Sequence, residues 1–335
     1  MSATRPLRRP FGRALLAASV AALLASTLTG CGSDAEASGD AEGTVTIARA
    51  AGDFEQTTLD VPVQDEIRAK VPKAILDKGK LVIGVGALPD GFPPLAYVGD
   101  DDETITGAEP DLGRLVAAVL GLEPEVVNAT WDNLFVGIDS GATDVGFSNI
   151  TDTEKRKETY DFAGYRKDDV AFAVKSDSTL EFTGDPAPLD GLKIAVSAGT
   201  NQEKILVEFS NALKKAGGKG IDIKYFADST SQWTALDSGQ IDAYLGPNPA
   251  VAYQQAQTGD KYRTAGTYSG AGSSLQGLIA ATTKKDSGLV EAVADAINFL
   301  IENGQYEKWL ATYNLSNEAV EKSEINPPGL PLDNQ

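Results

Sequence analysis

The stretch DSGATDVGF, residues 139–147, returns almost intact as DSGQIDAYL at 237–245. Each copy follows an amphipathic segment. In each, the Ser-Gly pair ends a helix, because glycine enters the left-handed cap conformation at little cost. A short apolar strand comes next. A helix, a glycine stop and a strand, occurring twice in a chain of 335 residues, predict two lobes of related α/β design. The surroundings agree. A buried strand is expected at 81–85. A helix opened by Pro110 carries an apolar stripe of Leu112, Leu115, Val116 and Val119, with Gly121 at its end, and a second strand follows at 125–127. The same order recurs before the second copy: strand 192–196, helix 202–215, strand 221–225. Two closing helices are expected at 288–302 and 305–313. In open α/β sheets ligands sit beyond the carboxyl ends of the strands, so the loops after the repeated strands are where a site belongs.

The N-terminal 62 residues read differently. Arg5, Arg8, Arg9 and Arg13 precede an apolar run from Ala14 to Ala25, too short to span a bilayer and shaped like a secretory signal. It leads into Leu28-Thr29-Gly30-Cys31, which resembles a bacterial lipobox, with cleavage before Cys31 and lipid on its sulfur. Cys31 is the only cysteine, so it has no intramolecular disulfide partner. Residues 1–30 are therefore expected to be a lipoprotein signal peptide, and 31–62 a flexible acidic linker with one short strand at 44–47. The protein is placed on the outer face of the cell membrane, held there by lipid.

Charge and composition exclude several functions. The formal net charge is −19, and removing residues 1–30 takes away arginines but no acid. Such a chain is repelled by nucleic acid and by anionic lipid surfaces. There is no histidine, which rules out Ser-His-Asp and Cys-His catalysis and histidine-built zinc sites. The acidic run 100–103 lacks the alternating spacing and central glycine of a calcium loop. Gly84-Val85-Gly86 lacks the third glycine of a dinucleotide loop. No metal and no cofactor is expected, and the chain is expected to be a monomer.

A set of short motifs in a fixed order resembles the extracytoplasmic solute-binding proteins of ABC importers, in particular the polar amino acid group. The motifs are KLVIG (80–84), FPPL (92–95), GAEPDL (107–112), WDNL (131–134), Thr151 through Arg156 leading to Asp161-Phe162, GTNQE (199–203), SGQIDA (238–243) and NGQY (303–306). The resemblance implies a two-lobe periplasmic-binding-protein-like fold of type II, each lobe a mixed sheet flanked by helices. Two hinge segments cross between the lobes, near 168–172 and 276–279. Lobe 1 then comprises 63–170 and 276–335, and lobe 2 comprises 171–275. It also implies a polar amino acid or related small carboxylate as ligand and an ABC permease as partner. Two other functions share the fold. One is a dehydratase acting on small carboxylates, with Glu109 as a candidate general acid. The other is a lipoprotein that senses a ligand without transporting it.

The turn after the first repeat, Ser148-Asn149-Ile150-Thr151, and the arginine beyond it carry the expected chemistry. Thr151 and Glu154 have capping-box spacing ahead of an expected helix, and Asp152 reads as a helix cap. Capping does not account for Arg156. By resemblance, Arg156 is the arginine that holds a ligand carboxylate, and a planar guanidinium suits that task through two parallel hydrogen bonds. Thr151 matches a ligand-binding hydroxyl, with Ser148 and Asn149 supplying backbone groups. On the other lobe, Thr200 and Asn201 open a helix whose free N–H groups suit an anion. Trp131 and Phe92 match rings that sandwich the ligand side chain. One departure stands out. Where the family has an aspartate for the ligand ammonium, this chain has Pro247, followed by Asn248, which offers only an amide oxygen. Asp90 or Glu109 could serve in its place, or the ligand is not an ordinary α-amino acid.

Overall fold

The computed structural model describes residues 43–332. Cys31 and the signal segment lie outside the described residues. The chain begins with a hairpin, β1 (Thr44–Ile47) and β2 (Thr57–Asp60), then α1 (Asp65–Arg68) and α2 (Lys73–Lys78). Next come β3 (Lys80–Val85), the small pair β4 (Tyr97–Val98) and β5 (Ile105–Thr106), α3 (Ala108–Val119), β6 (Glu123–Asn128), α4 (Trp131–Ser140) and β7 (Val145–Gly146). A long strand β8 (Tyr160–Lys175) leads to β9 (Lys193–Val196), α5 (Asn201–Lys215), β10 (Asp222–Tyr225), α6 (Ser229–Asp237) and β11 (Ala243–Pro247). The remaining elements are α7 (Asn248–Thr258), β12 (Tyr262–Ser269), β13 (Gly277–Lys284), α8 (Val290–Glu302) and α9 (Gln305–Thr312).

The two repeats build the same substructure. In lobe 1, β3 pairs in parallel with β6 on one side and β7 on the other. In lobe 2, β9 pairs in parallel with β10 and β11 in the same way. The repeated aspartates explain why the phrase recurs. Asp144 accepts a hydrogen bond from Val82 N at 2.9 Å, and Asp242 accepts one from Lys193 N at 2.8 Å. Each carboxylate fastens the start of its strand to the central strand of its lobe. The repeated aspartates are therefore structural.

β8 joins the lobes. From Tyr160 to Asp168 it pairs with β13, ending at Asp168 opposite Gly277. From Asp169 onward it pairs with β12, and from Val170 with β11. The return crossing runs from the end of β12 at Ser269 to the start of β13 at Gly277. The change of partner falls at Asp168–Asp169.

Lobe 1 has a core of Leu81, Ile83, Leu112, Leu115, Val116, Val293, Ile297 and Trp309, among others. The stripes expected on 110–121 and 288–302 are its facing surfaces. Lobe 2 packs Ile194, Val196, Leu206, Phe209 and Leu245 on one face of its sheet and Leu236, Tyr244 and Val251 on the other.

The strand expected at 44–47 forms as β1, but the stretch around it, expected as flexible linker, adds β2 and is packed. Val45, Ile47, Leu59 and Val61 alternate along the hairpin and are buried in the lobe 1 core. Ala48 N donates to Asp111 Oδ2 at 2.6 Å. The small, polar composition of the stretch hides this alternation of only a few apolar side chains. The hairpin tip also reaches lobe 2. Asp53 accepts from Tyr253 OH at 2.7 Å and from Gln257 Nε2 at 2.6 Å.

Candidate functional site

A cavity of about 590 Å³ lies between the lobes. Its walls are the segments that leave the carboxyl ends of β3, β6 and β7 in lobe 1 and of β9, β10 and β11 in lobe 2. Ser148, Asn149, Thr151, Arg156, Trp131, Phe92, Thr200 and Asn201 all line it. Asn248 does not. It begins α7 and faces a separate space of about 280 Å³ with Asp53 and Tyr253, because the strand ends at Pro247 and the chain turns into the helix there. Pro247 lines the main cavity in its place.

Arg156 sits at the seam between the lobes. Its Nη1 donates to Thr151 O at 2.9 Å, and its Nη2 to Gly199 O, across the cleft, at 3.4 Å. The guanidinium lies 5.5 Å from the ring centroids of both Trp131 and Phe135, within cation–π range. Loss of water pulls its pKa down to about 10, opposed by the negative charge of Asp168, so it stays protonated at neutral pH. A guanidinium has five N–H donors, and the backbone carbonyls use two. The other three are not taken by those carbonyls. Trp131 Nε1 also donates to Gly199 O, at 3.3 Å.

The opposite wall is the start of α5. Thr200 is its N-cap: Oγ1 accepts from Glu203 N at 3.2 Å and donates to Ser197 O at 2.7 Å. Its hydroxyl is thereby committed to the turn, and the wall offers a ligand the backbone N–H groups of the first helical turn and the positive end of the helix dipole. Asn201 is buried, and its Nδ2 donates to Gly270 O at 2.5 Å.

The turn 148–151 is held from behind. Ser148 Oγ accepts from Gly86 N at 2.8 Å, which ties it to the loop after β3. Asn149 adopts a left-handed conformation, φ 53°, which asparagine tolerates better than most residues. Its side-chain oxygen accepts from Arg166. Arg166 is fully buried and is also paired with Glu109, at 2.5 Å, and with Glu318. Burial pushes Glu318 up to about 7, against the pull of Arg166.

Several expectations are corrected here. Glu109 is completely buried, bonded to Arg166 and Tyr165, and does not line the cavity. It is placed neither to hold a ligand ammonium nor to act as a general acid in the cleft. The expected helix after Thr151 is a single 3-10 turn, Arg156–Glu158, because β8 begins at Tyr160 and leaves no room for more. No capping box forms. The Thr151 hydroxyl donates to Asp168 Oδ2 at 2.8 Å, and Glu154 Oε1 accepts from Gly329 N at 2.9 Å. Asp152 is not a cap. It is buried under the C-terminal segment with Lys157 Nζ 3.2 Å away, and burial pushes its pKa up to about 6.

The sequence reading missed Asp228, Gln232, Phe226 and Tyr244, which line the lobe 2 side. Asp228 caps α6, accepting from Ser231 N at 2.7 Å. Gln232 Nε2 donates to Ser197 Oγ at 3.0 Å. A signal for Asp228 exists, an Asp-Ser-Thr-Ser helix start directly after a strand, the same arrangement that singled out Thr200. Tyr244 lies inside the second repeat at the place of Gly146. A pattern of small and apolar residues does not say which of them face a cleft.

Residues 83–316 match the sequence profile of the bacterial extracellular solute-binding proteins, family 3. The chain is 30% identical over 262 residues to the arginine-binding protein ArgT of Corynebacterium glutamicum, covering 78% of this chain and 83% of that protein. It is 28% identical over 242 residues to the L-cystine-binding protein TcyJ of Escherichia coli K12, covering 70% and 84%. In structure it resembles an amino acid ABC transporter substrate-binding protein, AbpA from Streptococcus pneumoniae, bound to L-arginine. The TM-score is 0.61 at 26% identity, covering 74% of this chain and 100% of that one. An ancestral amino acid-binding protein that is a precursor of cyclohexadienyl dehydratase shares the fold, with a TM-score of 0.61 at 24% identity and coverage of 72% and 98%.

Proposed function

Because the chain belongs to the bacterial extracellular solute-binding proteins of family 3, we propose that it captures an α-amino acid between its lobes and delivers it to an ABC permease. The observation that carries the reading is the position of Arg156. It lines the interlobe cavity, and its guanidinium reaches the carbonyl just ahead of the α5 start. A carboxylate placed there meets a fork of N–H donors from one lobe and a helix N-terminus from the other. Neither lobe holds it alone, so ligand favours the closed arrangement. Such closure is the general behaviour of periplasmic binding proteins. The named relatives bind arginine and cystine, and the structural neighbour holds L-arginine. Asp90, Asp132 and Asp228 also line the cavity, which disfavours an acidic ligand side chain and suits a neutral or basic one.

Cys31 is the attachment point in this reading. Lipid on its sulfur holds the protein at the outer face of the cell membrane, and the protein works there as a monomer. Delivery and sensing differ in one measurable respect. Loss of the protein abolishes uptake of the amino acid if it serves a permease and leaves uptake intact if it only senses.

Thermal-shift screening of the standard L-amino acids and L-cystine tests the ligand class. A ligand at 100 times its dissociation constant adds about 2.7 kcal/mol to stability, a shift of several degrees. If none of them raises the melting temperature at millimolar concentration, the reading is wrong.

A further inference from the structure

An α-amino acid carries its ammonium on the same carbon as its carboxylate. If the carboxylate is held at Arg156, the ammonium lies within a few ångströms of it. A cation taken out of water there needs a counter-charge. Asp90 and Asp132 line the cavity but are exposed to solvent, and both oxygens of Asp228 are engaged with Ser231. Asp168 is different. It is 1% exposed, lies on β8 where the strand changes lobes, and is the foremost negative influence on Arg156.

Asp168 reaches the cavity through Thr151. The Thr151 hydroxyl donates to Asp168 Oδ2 at 2.8 Å. A hydroxyl has one proton and two lone pairs. With the proton directed at a buried carboxylate, Thr151 Oγ1 can act toward the cavity only as an acceptor, made stronger by the charge behind it. The Thr151 carbonyl meanwhile holds Arg156 Nη1. One residue thus ties the carboxylate-binding guanidinium to a buried anion. Burial raises the Asp168 carboxyl to about 6, so it is ionised at neutral pH, and its backbone is held in place. Gly270 N donates to the Asp168 backbone carbonyl at 2.9 Å, and a Cβ on Gly270 would fall 1.8 Å from Asp168 Oδ2, so any larger residue there would displace the carboxylate. Gly270 O in turn accepts from Asn201 Nδ2, at the start of α5.

We propose that Asp168, acting through the Thr151 hydroxyl, supplies the counter-charge for the ligand's α-ammonium and makes the cavity select α-amino acids over plain carboxylates. The proposal rests on the amino-acid-binding reading above. Asp168 is a positioning residue: the group that meets the ligand is Thr151.

Isothermal titration with two probes tests it. One is whichever standard L-amino acid, or L-cystine, most raises the wild-type melting temperature. The other is the same molecule with hydrogen in place of the α-ammonium. Asp168→Asn keeps an acceptor for Thr151 but removes the charge. It is expected to weaken the amino acid by about 30-fold or more while changing the des-amino probe less than about threefold. Should Asp168→Asn fail to fold, Thr151→Val, which removes the acceptor and leaves Asp168, is expected to show the same selective loss. Equal losses on both probes mean a merely structural role and overturn the proposal, as does no loss on either. A wild type that binds both probes equally also overturns it. A wild type that binds no amino acid overturns the functional reading and this assignment with it.

Discussion

Arg156→Ala is the most direct test of how the cleft works. The substitution removes the donors left after Nη1 and Nη2 engage Thr151 O and Gly199 O. It also removes the cation stacked against Trp131 and Phe135. Truncating one partner of a buried, hydrogen-bonded charge pair costs about 2–5 kcal/mol. That corresponds to roughly 30-fold to several-thousand-fold in Kd. The effect on folding is smaller. The Thr151 carbonyl loses a partner, worth about 1 kcal/mol, and the Gly199 contact is long. Arg156→Lys should recover only part of the affinity, because an ammonium is a point charge and cannot donate two parallel bonds. Calorimetric titration with the best-stabilising amino acid, alongside thermal denaturation of the empty proteins, separates binding from folding. If Arg156→Ala binds within about threefold of wild type, under 1 kcal/mol, the guanidinium is a packing element of the seam and the carboxylate role is refuted.

Other expectations follow from the same geometry. Asp152 rises from 3.8 to about 6 on folding, so the folded protein holds that proton more tightly than the unfolded chain. Ionising it costs stability as pH rises through about 6, and the cost is absent below about 4. Asp152→Asn should therefore stabilise the protein at pH 7.5 by up to about 3 kcal/mol, with the gain gone at pH 4. A lower melting temperature than wild type at pH 7.5 contradicts this. Ligand should bring the lobes together about the Asp168–Asp169 crossing and the 269–277 return. Small-angle scattering at saturation is expected to show a smaller radius of gyration, and an unchanged profile counts against closure. Asp53 joins the N-terminal hairpin to α7 of lobe 2, so Asp53→Ala should shift the empty protein toward the open form, read as a larger radius without ligand. Cys31 should carry lipid as the mature N-terminus, and intact-mass measurement on membrane-extracted protein showing an unmodified chain that begins at Met1 would rule it out.

The repeat at 139–147 and 237–245 announces two related lobes because its parts are local. A glycine ends a helix, an aspartate clamps a strand start, and apolar residues fill a strand, all within a few residues of one another. The stripes on α3 and α8 are legible for the same reason: helical periodicity needs no knowledge of the partner surface. Arg156, Thr151, Trp131, Phe92 and the α5 start could be picked out because strand ends and helix starts are marked in sequence, and the resemblance supplied their roles. What each polar side chain bonds to was not legible. Thr151 and Glu154 have capping-box spacing, yet the hydroxyl goes to Asp168, seventeen residues on, and the carboxylate to Gly329. Glu109 looked available for the cleft until Arg166 and Tyr165 claimed it. Asn248 looked adjacent until α7 turned it away. The strand at 44–47 was legible, but its partner at 57–60 hid in a composition that resembles a tether, and the hairpin's burial depends on a core surface built mainly from later parts of the chain. Local geometry is encoded by neighbours in sequence. The partner of a buried charge is chosen by whichever donor the fold brings nearest, and the energy of leaving that charge unpaired is what makes the choice binding.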